Sequence, residues 1–305
     1  METLKLGSKG DAVKQLQKML HIEVDGIFGD KTKESVMRYQ LANNIVMDGV
    51  VGNDTWTVLL TKGYNGEMVT ADTDIQNQYF TTSNGLMVHK HHLPKDQYIV
   101  GKFDNDYIFL HHTAGNDNPY ATIDSWGRDT WGAIATEFVL GGKNHINNDN
   151  KYDGVMVQSF PTGNQGWHLG PTGSGYMVRH SVAIELCSMG YLDDKYRTYV
   201  NSVCNKDQVC KLSEPFRGKL YWHKYSDKQL ESLEKWLKFV AERDDVDIRN
   251  GLVQWIKKYG PTKAFDFQQD GYDGKVKGLL THANVRKDKM DCFPQPELID
   301  MLLKL

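Results

Sequence analysis

The sequence predicts two folded units in one chain of 305 residues: a small all-α domain of three helices, then a larger α/β domain in which helices flank a central sheet. Three observations carry this. A turn motif repeats between Leu4 and Leu60, the composition breaks after Lys62, and beyond the break short apolar runs of strand type alternate with segments of helical periodicity. A chain of this length also exceeds a typical single domain. With 40% apolar residues, 25% charged residues and seven tryptophans, both units can bury a core.

The first unit is placed at residues 1–62. Asp25-Gly-Ile-Phe-Gly-Asp30 recurs as Asp48-Gly-Val-Val-Gly-Asn53, each copy leading into a Thr-containing helical stretch. In each copy Asp-Gly predicts a tight turn, the second glycine is expected at positive φ, and the polar residue after it is expected to cap the next helix. Val13, Leu16, Gln17 and Leu20 share one face of a first helix, and Val36, Tyr39, Gln40 and Ile45 continue the pattern in a second. Asp25, Phe28, Tyr39 and Trp56 are expected in turns and core rather than against a ligand. This segment resembles the peptidoglycan-binding type 1 family, on Leu6 to Val13 (LGSKGDAV), Val24 to Gly29 (VDGIFG) and Asp48 to Trp56 (DGVVGNDTW). The resemblance implies non-catalytic attachment to the wall polymer, which raises the local substrate concentration for a tethered domain. Residues 63–84, rich in Gly, Asn, Thr, Asp and Gln, read as a linker.

The second unit is placed at residues 85–305. Its strand-like run Tyr107-Ile-Phe-Leu110 ends in His111-His112-Thr113-Ala114-Gly115. A His pair at a strand end is by itself more often structural than metal-binding, so its partners decide. Leu279-Leu-Thr281 presents His282, and a loop returns Cys292. Two imidazoles and a thiolate suit tetrahedral zinc, and three protein ligands leave the fourth position for water. Ser181-Val-Ala-Ile-Glu185-Leu186 alternates as a strand and sets a carboxylate among apolar neighbours, where it can act as general base; without the other motifs it would read as an ion-paired or surface Glu. Residues 191–278 read as a helical insertion. Ser226 and Gln229 suggest a capping box, Leu230, Leu233, Leu237 and Val240 an apolar stripe, and Gly251 to Tyr259 a second helix ended by Gly260-Pro261. The aromatic segment Phe216 to Trp222 is expected to pack in the core.

Taken together, Phe109-Leu-His-His-Thr-Ala114, Ala135-Thr-Glu-Phe-Val139, Gly166-Trp-His-Leu-Gly170, Val182-Ala-Ile-Glu185 and His282 with Cys292 resemble the type 2 N-acetylmuramoyl-L-alanine amidases, the superfamily of phage amidase lysins and peptidoglycan recognition proteins. The resemblance implies a mixed central sheet, and Zn²⁺ held by His111, His282 and Cys292. The family's third ligand usually stands directly before Pro, whereas Phe293 separates Cys292 from Pro294, so Asp291 is the alternative. Glu185 matches the residue that activates the attacking water. The family often carries a Lys two positions before the third ligand; Lys289 occupies that place relative to Asp291 but not Cys292, so its catalytic role is tied to the ligand choice. Trp167 and His168 match the wall of the substrate groove, and Glu137, standing where many relatives have His, is expected to order the site or bind a substrate amide. The reaction implied is hydrolysis of the amide between the lactyl group of N-acetylmuramic acid and L-Ala in bacterial peptidoglycan. A binding protein that has lost hydrolysis and an endopeptidase on the same site are the alternatives.

Other classes are excluded or set aside by composition. The net charge of −3 offers no basic stripe for nucleic acid or an anionic membrane. No apolar run approaches a membrane span, and Met1 to Lys18 has the charges but not the apolar stretch of a Sec signal. With no Sec signal, the resemblance to a wall-binding domain ahead of an amidase implies a phage endolysin, expected as a monomer held in the host cytoplasm before lysis and acting in the periplasm or cell wall; a phage tail enzyme or a specially exported toxin fits the same pattern. Four cysteines are too few for a disulfide framework, and Cys204 and Cys210 are expected as buried thiols rather than a loop-closing bridge. His89 to His92 reads as a solvated, charged loop, and His112, His145, His180 and His223 as structural or surface residues.

Overall fold

The computed structural model describes residues 1–43, 45, 48–62, 78–130, 132–170 and 173–305. The chain divides into two compact units, Met1–Tyr79 and Phe80–Leu305.

In the first unit the helices are α1 (Asp11–Met19), α2 (Asp30–Ala42) and α3 (Asn53–Lys62). Val13, Leu16, Phe28, Val36, Tyr39, Val51, Trp56 and Leu59 form its core. The sequence repeat is also a repeat of hydrogen bonds. Gln17 Nε2 donates to Asp25 Oδ1 (2.7 Å), Ile27 O (3.1 Å) and Thr32 Oγ1 (3.1 Å), and Gln17 Oε1 accepts from Gly26 N (2.8 Å). Gln40 repeats the set with Asp48 (2.9 Å), Val50 (2.8 Å), Thr55 (3.0 Å) and Gly49 (2.9 Å). Positive φ falls on the first glycine of each turn, Gly26 (73°) and Gly49 (67°), not on the second. The aspartate accepts the N–H two residues ahead, from Ile27 and Val50, with the left-handed glycine between them. Asp30 and Asn53 are consequently the first residues of their helices rather than caps.

Of the segment read as a linker, residues 63–77 lie outside the described residues, and Tyr79–Thr81 is strand β1 of the second unit's sheet. The strands that follow are β2 (Met87–Lys90), β3 (Tyr107–His112), β4 (Phe138–Leu140), β5 (Met156–Gln158), β6 (Ser181–Leu186), β7 (Tyr191–Leu192), β8 (Val209–Phe216), β9 (Lys219–His223) and β10 (Gly278–Thr281). Seven of these form one mixed sheet in the order β1-β2-β5-β4-β6-β3-β10. Its centre, β4-β6-β3-β10, is parallel, and β4 meets β5 antiparallel. Strands β3 and β6 are nearly continuous apolar runs, as parallel strands covered on both faces must be. Helices α4 (Pro119–Trp126), α5 (Gly175–Arg179), α6 (Asp227–Asp244), α7 (Leu252–Tyr259), α8 (Pro261–Phe265), α9 (Gln269–Tyr272), α10 (His282–Val285) and α11 (Pro296–Leu302) complete the unit. The predicted stripe of α6 is buried, with Trp236 edge-on to Phe138 at 5.5 Å. Only half the predicted capping box forms: Ser226 Oγ accepts from Gln229 N, but the Gln229 amide is drawn off to Leu140 O and Cys187 O.

The insertion is helical only in its second half. Residues before Ser226 build a three-stranded antiparallel sheet, β7-β9-β8. Phe216 pairs with Lys219 across a two-residue turn in which Arg217 (φ 48°) and Gly218 (φ 77°) are both left-handed, the geometry that matches strand twist. Phe216 and Trp222 are core residues as expected, Trp222 stacking on Phe293 at 4.7 Å. The His89 cluster departs from the expected loop: His89 lies buried on β2 with its Nδ1 at 2.8 Å from the Tyr120 hydroxyl. His112, His145 and His223 are buried, and all four cysteines are buried free thiols. Among the described residues no helix is long and apolar enough to cross a membrane.

Candidate metal centre

Parallel register brings the carboxyl ends of three strands together, the usual place for a site in such sheets. His111 on β3 pairs with Glu185 on β6, and Thr281 at the end of β10 pairs with Leu110. Thr281 then caps α10: its hydroxyl accepts from Asn284 N (3.3 Å) while Asn284 Oδ1 accepts from Thr281 N (2.9 Å). This reciprocal cap makes His282 the first residue of a helical turn and aims it at His111.

The loop after α10 returns Asp291. His111 Nδ1, His282 Nδ1 and Asp291 Oδ2 stand 3.1 Å from one another on all three sides, and they form the one potential metal-binding trio among the described residues. The outer ring nitrogens fix what these atoms are. His282 Nε2 faces the carbonyl of Leu169 (3.4 Å) and so carries hydrogen. His111 Nε2 faces His168 Nδ1 (3.0 Å), whose Nε2 faces Ser181 Oγ (2.7 Å), and that hydroxyl faces Val178 O. A proton on each outward nitrogen runs this chain consistently to the carbonyl and leaves both Nδ1 atoms as bare lone pairs. Two imidazole lone pairs and a carboxylate oxygen converging without a proton between them call for a cation. A tetrahedral ion with bonds of 2.0–2.1 Å spaces its donors by about 3.3 Å, close to the separation present. Nitrogen and oxygen donors of this kind fit zinc.

Electrostatics agree with that state. Burial pushes the His111 imidazole down to about 4, so it is neutral at ordinary pH. Burial opposes ionisation of Asp291, but charge and hydrogen-bond donation from His282 and His111 outweigh it and hold the carboxyl well below its usual range, a pull that a cation would have to supply once both Nδ1 atoms are bare. Glu185 is shifted the other way, well above its usual range, by burial and then by Asp291, with Lys289 opposing. Its Oε2 is enclosed and has no hydrogen-bond partner among the described residues. Glu185, Lys289 and the trio line one cavity of about 890 Å³, whose walls include Ile134, Trp167, Met189, Tyr191, Tyr199 and Met290.

Two expected placements change. The structure sets Asp291, not Cys292, beside the two imidazoles. Cys292 is fully buried in the apolar core beside Tyr225, and burial raises its thiol well above the usual range, the opposite of what a thiolate ligand needs. His168 lies on the cavity wall with both ring nitrogens engaged, to His111 and Ser181. Glu137 is outside the cavity lining, 4% exposed, and accepts from Arg243 (3.0 and 3.3 Å), Gln158 (3.0 Å) and Thr162 (2.8 Å): it is half of a buried ion pair. Trp167 lies on the cavity wall, 38% exposed. The sequence reading missed Ser181, Arg286 and the insertion residues Tyr191 and Tyr199. Ser181 opens the Glu185 strand and Arg286 follows His282 at one helical turn, which are usable signals; nothing local marks the tyrosines.

Comparison with known proteins adds the family. A profile described as N-acetylmuramoyl-L-alanine amidase matches residues 101–288, and one for a peptidoglycan binding domain matches residues 9–59. Among solved structures, the Burkholderia AP3 phage endolysin is 32% identical over 25% of this chain, with a TM-score of 0.20, and this chain spans 31% of its length. The N-acetylmuramoyl-L-alanine amidase LysC from Clostridium intestinale URNW is 14% identical over 71% of this chain and 97% of its own, with a TM-score of 0.36. AmiD from E. coli, solved with anhydro-N-acetylmuramic acid-L-Ala-D-gamma-Glu-L-Lys, is 14% identical over 57% of this chain and 55% of its own, with a TM-score of 0.31.

Proposed function

The chain belongs to the N-acetylmuramoyl-L-alanine amidase family, and from that membership we propose that it is a zinc-dependent hydrolase cutting the amide between the lactyl group of N-acetylmuramic acid and L-Ala of bacterial peptidoglycan. The observation that carries the proposal is the trio of bare donor atoms 3.1 Å apart with an enclosed, unpartnered Glu185 oxygen in the same cavity.

Zinc held by His111, His282 and Asp291 supplies a Lewis acid for the scissile carbonyl and an acidified water. The side chains do the rest. The Glu185 carboxylate, on the cavity wall and ionised once a cation lies beside it, takes the proton of the attacking water. The same carboxyl then passes that proton to the nitrogen of L-Ala, so that it leaves as an amine. The Lys289 ammonium lines the cavity and offsets negative charge developing on the carbonyl oxygen. His168 keeps the His111 ring in the tautomer that presents Nδ1 inward. Trp167 and Tyr199 offer aromatic wall to the glycopeptide. The N-terminal unit, which matches a peptidoglycan binding domain, is proposed to hold the wall polymer near the catalytic unit. The proposed setting is bacteriophage lysis, with a monomeric enzyme waiting in the host cytoplasm and acting at the wall.

The test is product analysis on purified sacculi with and without metal. Zinc-dependent appearance of free L-Ala amino termini, lost on chelation and restored by zinc, is the expected result. Full activity after complete metal removal sinks the mechanism. Cleavage elsewhere in the stem peptide turns the reading to an endopeptidase, and zinc binding without cleavage turns it to a recognition protein.

A further inference from the structure

The loop that carries Asp291 has little regular structure of its own. Between α10 and α11 its internal backbone bonds are Lys289 N to Arg286 O (3.4 Å) and Gln295 N to Phe293 O (2.9 Å), and Ala283 N of α10 donates to Asp291 O (3.2 Å). It is also walled on two sides by open space. Asp288 and Met290 line the metal cavity, and they line as well a second cleft of about 500 Å³ with Arg217, Asp266, Phe267 and Lys287. A thin partition of this kind needs an outside brace if His282 and Asp291 are to stay 3.1 Å apart.

The brace comes from the insertion. Arg217, at the tip of the β8–β9 hairpin, spends all five guanidinium N–H groups there. Nε and Nη2 donate to Asp266 Oδ1 (3.0 and 2.6 Å), Nη2 also to Ala283 O (3.3 Å), and Nη1 to Arg286 O (3.4 Å) and Lys287 O (2.9 Å). All three carbonyls lie between the two metal donors in sequence. Asp266 in turn accepts from Asn284 through its backbone carbonyl (2.8 Å), and Asn284 is the residue that closes the cap on His282. The backbone at Arg217 is left-handed, a conformation that favours glycine or asparagine, so the side chain's five bonds are what recommend an arginine at this spot.

We infer that Arg217 is a positioning residue for the metal centre: the insertion hairpin reaches over to lock the Ala283 to Lys287 carbonyls and thereby sets the spacing of His282 and Asp291. The inference rests on the zinc reading of the site but not on which bond the enzyme cuts. Lysine cannot replace this arginine, because three donors on a point charge cannot span the aspartate and three carbonyls at once.

The experiment uses the full chain with Arg217→Ala, Arg217→Lys and Asp266→Asn. Zinc affinity is read by competition with a chromophoric chelator, ligand geometry by the visible spectrum of the cobalt(II)-loaded protein, and fold by melting of the metal-free form. Arg217→Ala is expected to weaken zinc binding about 10–100-fold, as loss of a partner outside the ligand set does, and to shift or weaken the cobalt bands. The metal-free melting temperature should stay near native, and kcat should fall while KM holds. Arg217→Lys and Asp266→Asn should fall in between, and they carry the test if the alanine variant does not fold. Native zinc affinity and a native cobalt spectrum in all three variants overturn the inference, as does a loss confined to melting temperature. A native chain that binds zinc but releases no L-Ala termini defeats the proposed reaction and leaves these measurements valid; a native chain that binds no zinc defeats both.

Discussion

Asp291 and Cys292 are neighbours, and only one of them can complete the metal site, so Asp291→Asn and Cys292→Ser make a decisive pair. Asp291 Oδ2 lies 3.1 Å from both imidazole nitrogens, and the amide of Asn keeps its shape while removing the anionic donor. Four-ligand structural zinc sites bind with roughly 10–16 kcal/mol, so an equal share per donor is about 3 kcal/mol. At about 1.4 kcal/mol per decade, that is a loss in zinc affinity of roughly 10²-fold. Cys292 instead touches Tyr225 within the apolar core, and its replacement by Ser should cost about 1–3 kcal/mol of stability for burying a hydroxyl, with zinc affinity unchanged. The assay is chelator competition on folded protein, with urea unfolding of the metal-free form alongside. If Cys292→Ser empties the site while Asp291→Asn retains zinc, the thiolate is the ligand and the loop closes one residue later.

Three further outcomes follow from the same geometry. Glu185→Gln should retain zinc and lower kcat by about 10²–10⁴-fold, the usual yield of a general base; a rate within a few-fold of native would remove Glu185 from the mechanism. Glu137→Ala removes one of the two carboxylates on Arg243 and leaves its pair with Asp244, so the metal-free protein should lose about 1–3 kcal/mol of stability while zinc affinity stays native; loss of turnover at native stability would restore the substrate role that the sequence suggests. The third concerns pH. Burial holds His111 at about 4, His223 at about 3 and His168 well below its usual value, whereas in the unfolded chain each titrates near 6.5. Between those limits the unfolded state binds about three more protons at these sites, and the raised Glu185 returns about one to the folded state. Burial also lowers His92, His112 and His145, so stability of the metal-free protein is highest above pH 6.5 and should fall towards pH 4 by at least about 2–3 kcal/mol per unit, measured by urea unfolding; a flat profile would show these histidines protonated in the fold.

Much of this molecule can be read from its sequence, for reasons that differ by element. The Asp-Gly repeat shows because identical turns need identical residues, although the pattern does not say that Gln17 and Gln40 are the groups that pin those turns from below. Helix α6 shows because its apolar face repeats with helical period. Strand-end placement exposes His111, and the residues that cannot be read are those whose meaning lies in a distant partner. Glu137 and Arg243 are 106 residues apart, and neither position alone distinguishes an ion pair from a substrate contact. The β8–β9 hairpin was open to reading, since a Gly-containing pair between alternating residues is a turn signal, but the helices after it dominate the segment.

In the proposed site the ligand and Lys289 assignments are linked because both residues ride on one loop. Moving the chain by one position to bring Cys292 to the histidines would carry Asp291 out, and it would leave Met290 where a lysine two places before the ligand belongs. The loop held by Arg217 on one side and by Arg286, whose Nη1 donates to Leu169 O at 2.7 Å, on the other does the reverse. It brings in Asp291, keeps Lys289 on the cavity wall two residues before it, and turns the thiol into the core. Leu169 O also accepts from His282, so the same carbonyl orients one metal donor and anchors the loop that delivers another. A substitution that loosens this loop should therefore lower metal affinity and the lysine's contribution to turnover together, and variants that separate the two effects would show that the loop does not act as a unit.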